Sequence, residues 1–168
     1  LISGSAAAQG SATPDLLGVY FDEAATEICL TTNSPFQQVT AYLIVSNVSD
    51  PGGIGGWECQ VSVLGNPVAP SWELSAGLNV ADSAMGLFDV GIGLVPDALP
   101  PAPTIILATW TGYVMSPTDH VEWTIFPYPG SVSFDDTPGY ASGNTPGLLT
   151  PLESSAGQPY GAPAAMVW

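Results

Sequence analysis

His120 is the only imidazole in the chain, and with no Lys and no Arg it is the only side chain that can carry positive charge. A Ser-His-Asp hydrolase would have to be built on it. Asp119 is its chain neighbour, but adjacent strand residues point to opposite faces, which disfavours that orienting pair. No G-x-S-x-G turn exists to lift a serine into position. Paired carboxylates are the other route, as in glycoside hydrolases on β-sandwich scaffolds. Glu58, Glu73, Asp89 and Glu122 all fall on predicted strands, yet with 15 acidic residues such pairings arise by coincidence. The chain is read as not an enzyme.

Binding chemistry is equally constrained. One His and two Cys cannot build a structural zinc site. Asp22-Glu23 and Asp135-Asp136 put paired carboxylates in turns with backbone carbonyls nearby, which is the oxygen-rich chemistry of calcium. No D-x-[DN]-x-[DN]-G loop accompanies them, and no other cofactor is implied. Asn47-Val48-Ser49 matches a glycosylation sequon. Cys59, on a strand following that of Cys29, is expected to reach it. A bridge closing that loop would add on the order of 3–4 kcal/mol and would fit an oxidising compartment. The alternative is two buried thiols.

The elements that must position these residues are strands. Phe36–Gly65 is the clearest stretch: two apolar runs flank Asp50-Pro51-Gly52-Gly53, where Pro and then Gly favour chain reversal. Trp57, Cys59, Val61 and Val63 alternate with Glu58, Gln60 and Ser62, the period of a half-buried strand. Val39 to Val45 is apolar on both faces and reads as a central strand, so the pair is expected to form a hairpin. Further strands are predicted at 16–21, 26–31, 71–74, 87–95, 104–115 and 120–126, the last two joined as a hairpin. Gly and Pro total 36 residues, 19 and 17 respectively, and strand signals recur about every ten residues without a helical period. The fold expected is all-β: an Ig-like or jelly-roll-type β-sandwich, 14–168, with one disulfide and a Pro/Gly-rich, loop-rich 127–163. Short strands there are expected at 132–134 and 148–149, and a last one at 164–168.

Charge bounds the partners. The formal charge is −15 with no Lys or Arg, so phosphates cannot be neutralised and nucleic acid is excluded. No run of 18 apolar residues exists, so no membrane-spanning helix is expected. Trp57, Trp72, Trp110 and Trp123, with Tyr42 and Tyr113, all lie on predicted strands. They read as core packing in preference to a glycan-binding platform, with Trp110 and Trp123 stacking across strands.

LLGVYFDEAATEICL, GWECQV and TPGYASGNTPGLL resemble segments of a loose group of uncharacterised secreted bacterial β-rich proteins. The shared features are a GVYFD opening, two cysteines and a PGYA…PGLL segment. The resemblance implies secretion and a Cys29–Cys59 disulfide, and no activity.

Residues 1–13 form an N-terminal arm, read either as a signal-peptide remnant with an A-x-A option at Ala6-Ala7-Ala8 or as a subunit-contact strand. Its small side chains give it little to dock on its own domain. The function expected is a structural subunit of a self-assembling extracellular filament or surface layer, a homopolymer joined by β-strand addition and apolar contacts. Leu1, Ile2, Ala6, Ala7, Ala8, Val167 and Trp168 are the expected contacts. The alternatives are a secreted glycan-binding or adhesin module and, less favoured, a glycoside hydrolase.

Overall fold

A computed structural model describes residues 13–93, 97–155, 157 and 159–168. The chain is all-β, two sheets packed as a sandwich, and the described residues contain no α-helix. The strands are β1 (Leu16–Tyr20), β2 (Cys29–Leu30), β3 (Gln37–Ser46), β4 (Ile54–Leu64), β5 (Val68–Leu74), β6 (Leu78–Asn79) and β7 (Leu87–Gly91). Then come β8 (Thr104–Val114), β9 (Val121–Phe126), β10 (Gly139–Ser142), β11 (Leu149–Pro151), β12 (Glu153–Ser154) and β13 (Pro163–Val167). A 3-10 turn covers Ser83–Met85. The first sheet runs β12-β1-β3-β8-β5; the second runs β11-β10-β4-β9-β13-β2, with β7 and β6 on the other side of β4.

The two expected hairpins are not hairpins. β3 pairs with β1 and β8, and β4 with β7, β9 and β10, so the turn at Asp50–Gly53 carries the chain from one sheet to the other. The 116–119 turn does the same between β8 and β9. Turn residues dictate that the chain reverses; they do not dictate that the two arms share a sheet. The core decides that. Trp110 on β8 and Trp123 on β9 meet edge to face at 4.9 Å between centroids, which puts their strands in facing sheets. Trp57 packs on Phe88 within the second sheet, and Trp72 of the first sheet reaches the same ring. Trp57, Trp110 and Trp123 are buried as the packing reading expects, Trp72 and Tyr42 are half-buried, and Tyr113 departs from it at 41% exposed. The expected strand at 132–134 is loop, with Val132 fully exposed.

The expected Cys29–Cys59 disulfide is absent, and both thiols are free. Cys59 points into the core from β4, while Leu30 packs inward on β2 and turns its neighbour Cys29 to the outer face. β4 and β2 are three strand positions apart, about 14 Å. A disulfide needs Cα atoms within about 7 Å. Burial pushes the Cys59 thiol well above its ordinary range, with the neighbouring Glu58 carboxylate adding to it.

Candidate docking groove

Along β4, β7 pairs only with Gly56–Gln60 and the amide of Val61 donates to the carbonyl of Gly86. Among the described residues nothing pairs with Ser62–Leu64 on that side, although β9 covers the other. The facing sheet ends on β5, whose pairing with β8 is interrupted by a bulge between Val68 and Ser71; Ala69 there has φ +50° and is followed by Pro70. The third wall is the 3-10 turn. The Asp82 carboxylate accepts the Ala84 amide at 3.0 Å, and Gly86 closes the turn at φ +71°. An added Cβ at Gly86 would run into the Val61 carbonyl, so glycine there lets the turn lie against β4.

Between these walls is an open groove of about 710 Å³. Its polar lining is uncharged, with Gln60, Ser62, Asn66 and Ser71, and its apolar lining includes Trp72 and Met85. No Asp or Glu lines it, in a chain that has 15, although exposed Asp82 and Glu73 are next in the chain to lining residues. Met85 is 71% exposed, and Leu64 and Val68, next in the chain to lining residues, are 56% and 46% exposed.

The sequence-expected sites lie elsewhere. His120 is half-exposed, with Nε2 3.5 Å from a Glu122 oxygen and its ring 4.8 Å from that of Trp168. The Asp119 carboxylate accepts the Ser116 amide, so no triad forms. Asp22 holds its own turn, accepting the Thr26 amide, the Thr26 hydroxyl and the Glu27 amide at 2.7–2.8 Å. Slight desolvation raises the Asp22 pKa, but these bonds outweigh it and the net effect is a lowered value. The Glu23 carbonyl accepts the Thr104 hydroxyl. Asp135 and Asp136 both have positive φ, +49° and +59°, in the loop before β10 on the other sheet. Among the described residues no group of three or more His, Cys, Asp or Glu is placed to hold a metal. Glu58 and Asp89 stand directly opposite each other on β4 and β7, but neither lines a groove and Ser131 caps Glu58 through its hydroxyl.

Of the expected subunit contacts, Val167 is fully buried in its own sheet, paired with Val121, and is unavailable to a neighbour. Trp168 is half-exposed but its amide donates to Leu30 and its carbonyl accepts from Thr32. Leu1, Ile2, Ala6, Ala7 and Ala8 lie outside the described residues. The groove residues escaped the sequence reading because the gap follows from where β7 stops. Asp82 with Gly86, four residues on, is the one local cue to its third wall.

No family model matches the chain, and neither curated proteins nor solved structures include a significant match. No helix of the described residues is long and apolar enough to cross a membrane.

Proposed function

We propose that this protein is a structural subunit of an extracellular assembly whose copies meet at the groove between β4, β5 and the 3-10 turn. The observation that carries this reading is the groove's character: no carboxylate in its lining, and exposed Met85, Leu64 and Val68 at or beside it, on a chain of formal charge −15. Copies so strongly alike in charge repel, and a contact face must be one that brings few carboxylates together while burying apolar surface. Other edges offer less. β2, β6 and β12 are two residues each and β11 is three with Pro151, devices that blunt strand addition.

A second reading, a glycan-binding module, is favoured by Trp72 standing half-buried among Gln60, Asn66 and Ser71 in the same groove. Sedimentation velocity separates the two. The subunit reading expects species larger than the monomer that grow with protein concentration at moderate salt, and their loss in Met85→Glu and Leu64→Glu with circular dichroism unchanged. A wild type that stays monomeric throughout, or variants that associate equally well, would overturn it.

A further inference from the structure

We infer that the occupant of the groove is the Leu1–Ala12 arm of a second copy of this chain, so that subunits join head to tail. The inference rests on the reading of the groove as the contact face and goes on to name what fills it.

The arm suits the groove in charge and size. Leu1–Ala12 contains no charged side chain, and the groove lining contains none. Other uncharged stretches, such as 98–118 and 137–152, are already tied into the sheets through β8, β10 and β11. The arm brings only Ala, Ser, Gly and Gln behind Leu1 and Ile2. Small side chains let a backbone enter between two walls, and the unpaired side of Ser62–Leu64 gives that backbone hydrogen-bonding groups to meet.

Topology decides between its own arm and a neighbour's. β1 enters the first sheet at Leu16, opposite Ser46, and runs from there toward Tyr20. β5, the groove wall, is three strand positions away on the opposite edge, and it pairs with β8 at Tyr113 and Trp110, which face Gln38 and Ala41 on β3. Counting along β3 from Ser46 gives five to eight residues, and with the three strand positions the groove is about 20–30 Å across the sheet. β1 runs toward the groove's end of the sheet, so Leu16 is the end of the strand farther from the groove. A molecule's own arm would have to double back along the sheet and cross those roughly 20–30 Å to reach its groove. A neighbour's arm meets no such cost, and with donor and acceptor at opposite ends the contact is heterologous and does not close on itself.

Disulfide trapping in the full-length chain tests this, in a Cys29→Ser background that leaves the buried Cys59 in place. One protein carries Ala7→Cys and a second carries Met85→Cys; they are mixed and oxidised with copper-phenanthroline. A mixed dimer should form at least about tenfold faster than with Val132→Cys, a fully exposed site outside the groove lining, as the acceptor, because docking raises the effective concentration of the two thiols. Trapping no faster than the control, while Met85→Glu still blocks association, overturns the arm as occupant and leaves the contact face standing. An intramolecular bridge in the Ala7→Cys, Met85→Cys double variant at high dilution shows that each arm fills its own groove and also overturns the inference. If Met85→Glu leaves association intact, the contact-face reading falls with it.

Discussion

Tyr140 is fully buried, and its hydroxyl donates to the Asp15 carboxylate at 2.5 Å while the amide and hydroxyl of Ser49 donate to the same group. In a chain with no Lys or Arg, this buried carboxylate is satisfied by neutral donors. Burial, and then the bond to Asp15, raises the Tyr140 pKa; burial does the same for Tyr160, whose hydroxyl donates to the Leu152 carbonyl. Both phenols therefore hold their protons more tightly folded than unfolded. Their contribution to stability is present below the unfolded value of about 10 and is lost as pH climbs through the raised folded values. Wild-type stability should fall more steeply above about pH 10 than that of a Tyr140→Phe, Tyr160→Phe double variant. At neutral pH, Tyr140→Phe alone should cost about 1–3 kcal/mol by leaving Asp15 short of a donor. Equal alkaline slopes in urea titrations would count against this account of the two phenols.

The element on which the groove depends is the 3-10 turn, held against β4 by a glycine that no other residue can replace without strain. Gly86→Ala pays for the left-handed backbone, about 1–2 kcal/mol, and in addition pushes a methyl at the Val61 carbonyl. Gly147 has a similar φ of +79° but open space around it, so Gly147→Ala reports the backbone cost alone. Gly86→Ala should lower Tm by about 4–8 °C and by more than Gly147→Ala does. Equal shifts would mean that the turn is not packed on β4. Elements such as this mark the limit of what the sequence carries. The alternation of Trp57, Cys59, Val61 and Val63 against Glu58, Gln60 and Ser62 is written in local order, and β4 appears where that pattern stands. Which strands pair is not local. Phe36–Gly65 has every sign of a hairpin, yet the facing Trp110 and Trp123 require its two strands in different sheets. Cys29 and Cys59 fail to bridge for the same reason: their strands exist, but pairing order puts them three positions apart on opposite faces. The groove was hidden likewise, since it arises where β7 ends beside β4.

Across the whole molecule, association is governed by a formal charge of −15 with no Lys or Arg to compensate it. Contact between copies must work against that repulsion, which salt screens over about 10 Å at 0.1 M and 3 Å at 1 M. Assembly should therefore strengthen with sodium chloride, with divalent cations and with mild acid, and weaken at low ionic strength above neutrality. A heterologous contact that does not close gives open polymers instead of rings or dimers. Negative-stain electron microscopy of the concentrated full-length protein in 1 M salt, beside Met85→Glu under identical conditions, tests this most directly. Wild-type fields should show linear filaments with a subunit repeat and the variant only single particles. Uniform single particles in both, or filaments in both, would contradict assembly through the groove.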